Sequence, residues 1–313
     1  MIPANDGVSK RLWSLVLISI GIGVLIIHSA GSGHAGNIAT EGSPDAAAPQ
    51  VLNYVMMANL LNNVNAKDAV GAVKFHWSKH LKRAFPGFEP HFEILADLDA
   101  AAQRIRDNRL HGLIMDITQY LSIREQVNLK PVFFSSSSTR PLETYVLLVH
   151  RNTNWRRLST QPSRRLMTEK MDQPNIGRMW LETVLRERQL PSGDTYFTQI
   201  TPASKPARII LPVFFKQADA CLVLESAYQT MQELNPQISH QLTVLARSPG
   251  FITSIGCATE LISDQLIDRF IENSVYDSTE NGRQLLLIFH VKKIFAFRPE
   301  YLSHTENVFR KYR

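Results

Sequence analysis

From residue 51 onward the sequence alternates short apolar runs with stretches of helical period, and that alternation dictates an α/β fold with crossover connections. YVMMANLL reads as a first strand. The stretch after it places Ala66, Val70, Val73, Trp77, Leu81 and Ala84 at helical spacing, with Asn65 positioned to cap the helix. HFEILADL follows as a strand, LDAAAQRIRDNRL as a helix, and GLIMDITQYL as a buried strand that breaks at Asp116. The order is βαβαβ, and each strand ends in polar residues.

LKPVFFSSSSTRPLETYVLLVHRNT then carries two strand-like runs around a polar loop. A second βα series begins with RRLMTE as a short strand. Pro174 opens a helix with Ile176, Trp180 and Val184 on one face, and TYFTQI reads as a strand after the Pro191-Ser192-Gly193 turn. Residues 204–217 read as a helix despite Pro212, and ACLVLES is the next strand. The spacing from Ser226 to Gln229 fits a capping box opening AYQTMQEL, which Asn235-Pro236 stops. Beyond LTVLARSP the pattern reads as all helical, through Leu261, Leu266, Ile267, Phe270 and Ile271 and then Leu285 to Phe289. Two βαβ-rich halves and a helical tail imply two lobes, with the tail returning to the first.

The first residues differ from the rest. Lys10 and Arg11 precede the uncharged run LWSLVLISIGIGVLII, and Gly33 and Ala35 follow as small residues at the −3 and −1 positions of a cleavage site. That is a secretory signal pattern, with cleavage expected after Ala35; an uncleaved inner-membrane anchor is the other reading of the same run. Either way the basic pair holds the N-terminus in the cytoplasm and the rest is exported, which places the protein in the periplasm. Residues 36–50 are small, polar and Pro-containing, a flexible leader. The chain of 313 residues has a formal net charge of +6. Without Lys10, Arg11 and Asp6 the remainder carries 32 basic and 27 acidic side chains, or +5. Arg151, Arg156, Arg157, Arg164 and Arg165 cluster, but no aromatics interleave with them as a single-strand groove requires, so nucleic acid is not expected as a partner. Cys221 and Cys257 are able to pair in an oxidising compartment, although Cys221 lies in an apolar run that suits a buried thiol. The ten histidines show no metal-ligand spacing, and no cofactor is expected.

The run TYVLLVHRNTNWRRLS through RRLMTEK, the segment PVFFKQADACLVLESAYQTM, the strand LTVLARSP and the tail IDRFIENSVYDSTENGRQLLLIF together resemble the phosphate/phosphonate-type substrate-binding proteins of ABC transporters. The fixed points are Asp116 with Tyr120, Ala218-Asp219-Ala220, Arg247-Ser248-Pro249, and Gly282 before Leu286 and Phe289. The resemblance implies a type 2 periplasmic-binding fold: two α/β lobes that trap a solute in the cleft between them by hinge closure. Lobe 1 is expected over residues 51–147 plus 250–313 and lobe 2 over 148–249, with ETYVLLVH and LTVLARSP as the crossing strands. Such a cleft is lined by strand carboxyl ends and helix N-termini.

On that frame the candidate ligand-binding residues follow the strands. Asn59 and Asn62 come after the first, though Asn is also a turn and cap residue. Asp116, Thr118 and Tyr120 come after the third; Tyr120 is placed to cover a ligand, and the bland alternative is that Asp116 caps a helix and Tyr120 packs in the core. Ser137, Thr139 and Arg140 offer hydroxyls and a guanidinium suited to an oxyanion, or a solvated loop. At the second-lobe helix start the family carries a Ser/Thr-rich, Gly-containing turn that holds an anionic head. This chain has Thr168, Glu169, Lys170, Met171, Asp172, Gln173, Pro174 and Asn175 there, of which Thr168, Asp172, Gln173 and Asn175 are candidates. Pro174 removes an N–H donor and Asp172 repels a phosphoryl group, so a cationic, zwitterionic or neutral polar solute fits as well as phosphate or phosphonate. Glu225 and Ser226 end the ACLVLES strand and complete the set.

No Gly-x-Ser-x-Gly elbow or Gly-rich phosphate loop is present, so the chain does not read as an enzyme. It reads as an exported monomeric protein that captures a small polar solute for an ABC permease. The alternative is a membrane-tethered sensory module that uses the same fold to report occupancy to a signalling membrane protein.

Overall fold

The computed structural model describes residues 50–61, 64–78, 82, 85–170, 175–275 and 280–313. The signal pattern and the leader at residues 1–49 lie outside them, as do Asn62, Asp172 and Gln173. The described residues belong to one compact unit, residues 47–313.

In chain order, β1 (Gln50–Met57) runs into a 3-10 turn at Ala58–Leu61, and α1 (Ala66–His76) begins where the Asn65 side chain accepts from Lys67 N at 2.8 Å. Then come β2 (Phe88–Leu95), α2 (Leu98–Arg106), β3 (Gly112–Asp116), α3 (Ile117–Ile123) and β4 (Lys130–Ser136). The second series is β5 (Glu143–His150), the short α4 (Trp155–Ser159), β6 (Arg165–Glu169), α5 (Ile176–Glu187), the single turn α6 (Gly193–Tyr196), β7 (Gln199–Ala203), α7 (Pro206–Phe214), β8 (Ala220–Leu224), α8 (Glu225–Leu234), α9 (Gln237–Gln241) and β9 (Leu242–Phe251). The tail holds β10 (Ser254–Ala258), α10 (Asp264–Phe270), α11 (Glu280–Ile288), β11 (Lys293–Ala296) and α12 (Ser303–Tyr312).

Among the described residues these strands form two sheets, ordered β11-β4-β10-β3-β1-β2 and β7-β6-β8-β5-β9. The same plan occurs twice. In each sheet three strands run parallel, β2-β1-β3 and β7-β6-β8, and an antiparallel strand lies against the third. In the first sheet that strand is β10, which arrives after the second series, and in the second sheet it is β5, which arrives straight from the first. The chain therefore passes between the lobes twice, at residues 137–142 and at Ile252-Thr253. The two-lobed α/β architecture is the expected one.

Several expectations shift. β5 and β9, the strands expected to make the crossings, lie side by side in the second sheet, paired from Glu143–Phe251 to His150–Leu242. The tail is not all helical, since SIGCA forms β10 at the centre of the first sheet with all five residues buried. Five residues with a central glycine are too short to show a period, and the ring of Phe133 lies where a Cβ on Gly256 would be, 2.3 Å away. TYFTQI is not a strand over its length: Thr195 N and Tyr196 N donate to Ser192 O at 2.9 and 2.6 Å, closing a helical turn before β7 starts at Gln199. The capping box at Ser226 does not form. The N-cap of α8 is Leu224, with no side-chain cap bond, and the Ser226 hydroxyl goes elsewhere. Cys221 in β8 and Cys257 in β10 are both buried and free, one in each sheet, and burial pushes both thiols up.

Candidate functional site

Parallel strands β1, β3 and β4 of the first sheet and β6 and β8 of the second bring their carboxyl ends to Asn59, Asp116, Ser137, Glu169 and Glu225-Ser226. β5 runs antiparallel to β8, pairing Tyr145 with Leu224, so its first residue, Glu143, arrives at the same edge. Three carboxyl groups gather there from three elements. Asp116 is 5% exposed and Glu143 3% exposed, and Glu169 joins them from the end of β6.

Each is held differently. Asp116 caps α3 through a full capping box: its carboxylate accepts from Thr118 N at 2.7 Å and from the Thr118 hydroxyl, while Asp116 N donates to Gln119 Oε1 at 3.1 Å. Burial raises its pKa above the usual carboxylate range against those bonds. Glu143 Oε1 accepts four bonds: from Ser136 Oγ at 2.7 Å, Ser137 N at 2.6 Å, Ser137 Oγ at 2.8 Å and Ser138 N at 3.1 Å. Ser226 Oγ reaches across to Ser137 Oγ at 3.2 Å and donates to Glu143 Oε2 at 3.4 Å. Glu169 accepts from Asn175 Nδ2 at 3.3 Å. Burial first, and then repulsion from Glu143 and Asp116, push its carboxyl up to about 7. Tyr145 stands among the three, its hydroxyl 3.4 Å from Asn175 Nδ2 and its pKa raised by burial and by the charges of Glu169, Asp116 and Glu143. Its ring lies against Gly177, where a Cβ would stand 2.5 Å from ring carbons.

Thr168 is buried in β6, and Asn175 is the N-cap of α5, accepting from Arg178 N at 2.9 Å. Asn59 lies just past β1, and its buried Oδ1 has no partner among the described residues. Thr118 is buried beside Asp116, whereas Tyr120 packs into the core at 6% exposure and does not reach over the cleft. Thr139 and Arg140 are exposed on the connecting loop, and Glu225 pairs with Arg247 at 2.7 Å. Asp172 and Gln173 lie outside the described residues.

Sequence reasoning missed three members of this cluster: Glu169, which it passed over beside Thr168 at a strand end, and Glu143 and Tyr145. The search followed strand carboxyl ends, whereas Glu143 and Tyr145 stand at the amino end of a strand. The antiparallel entry of β5 is what places them there, and the apolar pattern of ETYVLLVH carries no sign of direction.

An apolar cavity of about 240 Å³ lies elsewhere, inside the first lobe, lined by Leu52, Tyr54, Phe92, Phe133, Phe270 and Phe289 among others. Burial pushes the Tyr54 hydroxyl there up to about 12. Hydrocarbon walls suit core packing better than recognition of a polar solute. No group of three or more His, Cys, Asp or Glu able to hold a metal ion occurs among the described residues. No helix among them is long and apolar enough to cross a membrane.

Residues 74–297 match the family model described as ABC transporter, phosphonate, periplasmic substrate-binding protein. Among solved structures the fold is similar to that of a methylphosphonate complex of PhnD1 from Prochlorococcus marinus, at 15% identity and TM-score 0.57 over 84% of this chain and 98% of that one. It is similar also to a binding-protein component of an ABC phosphonate transporter from Pseudomonas aeruginosa, at 13% identity and TM-score 0.56 over 84% and 88%. A Xanthomonas citri protein bound to chloride aligns at 9% identity and TM-score 0.59 over 84% and 97%. No curated protein matches by sequence. The family is one of transport binding proteins rather than enzymes, and it implies a small solute and an ABC permease as partners. A family match over most of the chain and two lobes meeting at shared strand ends have one reading: the chain belongs to the periplasmic phosphonate-type substrate-binding proteins of ABC transporters, as a divergent member.

Proposed function

We propose that the protein captures, in the periplasm and as a monomer, a small polar solute carrying at least one ammonium or comparable donor group, and presents it to an ABC permease. The observation that carries the solute class is the meeting of Asp116, Glu143 and Glu169 around Tyr145. No basic side chain pairs with any of the three among the described residues. A free oxyanion entering such a site meets like charge at low dielectric, whereas a cation relieves the repulsion the carboxyl groups exert on one another. Asn175 and Ser226 supply hydrogen bonds around that charge, and Asn59 and Thr168 lie near the ends of β1 and β6. A sensory module has no specific observation in its favour.

A thermal-shift and calorimetric screen of phosphate, methylphosphonate, sulfate, amino acids and polyamines tests the solute class, because a ligand of the folded state alone raises the midpoint. Amine-bearing solutes are expected to stabilise the protein. Their affinity should rise from about pH 6 to about pH 8 as Glu169 loses its proton, since a bound cation favours the ionised carboxylate. Stabilisation by phosphate or methylphosphonate alone overturns the proposal.

A further inference from the structure

The serine-rich turn that follows β4 has more donors than its occupant can use. Four bonds from three consecutive residues converge on one oxygen of Glu143, two of them from backbone N–H groups. An ionised carboxylate offers about four lone-pair sites over two oxygens, so roughly two donors saturate Oε1. Among the described residues its other oxygen meets only the Ser226 hydroxyl, at 3.4 Å. A tetrahedral oxyanion spreads its charge over three or more oxygens and would distribute the same donors among them. Successive backbone N–H groups aimed at one point form the kind of concavity that binds anions. Glu143 is nearly fully buried, and no basic side chain pairs with it among the described residues. Hydrogen-bond donors alone meet its charge, as they would meet a ligand's. Ser226 closes the far side from α8, whose first turn has no side-chain cap.

We infer that the Ser136–Ser138 turn with Ser226 is an oxyanion cradle whose occupant is the chain's own Glu143 carboxylate, and that Glu143 keeps free phosphate, phosphonate and sulfate out of the cleft. The inference rests on the proposed solute class and deepens it. It names the residue that separates this chain's preference from that of an oxyanion binder. The cradle spans the passage between the lobes, with Ser136 ending a strand of the first sheet, Glu143 opening one of the second, and Ser226 in the helix after β8. An ion seated there would touch both lobes.

Titration calorimetry with inorganic phosphate and methylphosphonate, on the wild type, Glu143→Ala and the double variant Glu143→Ala with Ser137→Ala, tests it. Glu143→Ala is expected to bind phosphate with Kd below about 1 mM, at least tenfold tighter than the wild type, and the double variant to lose that gain. Folding of each variant is checked by circular dichroism and a thermal midpoint. Should Glu143→Ala fail to fold, Glu143→Ser takes its place, since it too withdraws the carboxylate from the cradle while keeping a small polar side chain at the start of β5, and the same gain is required of it. A folded variant that gains no oxyanion affinity overturns the cradle. If the wild type still binds amines in that case, the solute class stands and this inference alone fails. Phosphate binding by the wild type equal to that of the variant overturns Glu143 as the excluding residue.

Discussion

Glu169 and Asp116 show how two acids at strand ends come to differ. Both are raised by burial, but Asp116 spends its carboxylate on the first turn of α3, while among the described residues Glu169 has a single weak amide donor at 3.3 Å and two acidic neighbours. The folded state therefore holds the Glu169 proton more tightly than the unfolded chain, whose glutamate titrates near 4.5. Below that value both states are protonated and the group is neutral in its effect. As pH rises from about 4.5 to about 7 the folded state must keep a proton the unfolded state has released, so its stability falls. Denaturant midpoints of the wild type should decline across this window, and Glu169→Gln should flatten the decline; an unchanged slope refutes the assignment. Asp116→Ala should cost about 1 kcal/mol through the lost cap, read from the same melts. The Asp-Ile-Thr-Gln spacing makes that cap visible in sequence, because its partners are two and three residues away. Glu143 was not visible, because Ser226, which lies 83 residues from it, comes into reach only when β5 pairs with β8.

At the level of elements, strand and helix order follows from the sequence wherever the apolar period is long. α1 begins at its expected cap, α2 and α5 begin within a residue or two of their expected starts, and β4, β5, β6 and β8 occupy their expected runs. The failures are short pieces. β10 has five residues and β11 four, and each is a strand because neighbours on both or one side supply its hydrogen bonds. Close approach of rings to glycines matters at this scale. The Tyr145 ring occupies the space a Cβ on Gly177 would need, at the first turn of α5. Gly177→Ala should push β5 and α5 apart at the carboxyl cluster and cost roughly 1–3 kcal/mol as overpacking. The loss should appear as a lower thermal midpoint together with weakened solute binding. A neutral effect on both would mean that Tyr145 rotates freely.

On the scale of the whole molecule, α12 ties the two lobes. Glu306 pairs with Arg124, at the end of α3 in the first lobe, while the Lys311 carbonyl accepts from Arg186 and the Lys311 ammonium pairs with Glu187 at 3.2 Å on α5 of the second. Thr305 and Val308 are the buried side of α12 itself. Deleting residues 303–313 should cost on the order of 2 kcal/mol from the exposed apolar surface alone. It should also widen the free protein's radius of gyration in small-angle scattering while leaving the helical signal of the lobes in place; an unchanged radius refutes the tie. The sequence by itself determined the class, two α/β lobes, because apolar period and caps are local and survive in a single reading of the chain. It also placed Asn59, Asp116, Ser137, Thr168 and Ser226 near strand ends, for the same reason. Tertiary structure decided which strands lie at the centre of each sheet, that β10 returns to the first, and that Glu143 fills the serine turn. Those outcomes depend on strand direction and on contacts between residues tens or more apart, and neither leaves a trace in the periodicity of a short apolar run.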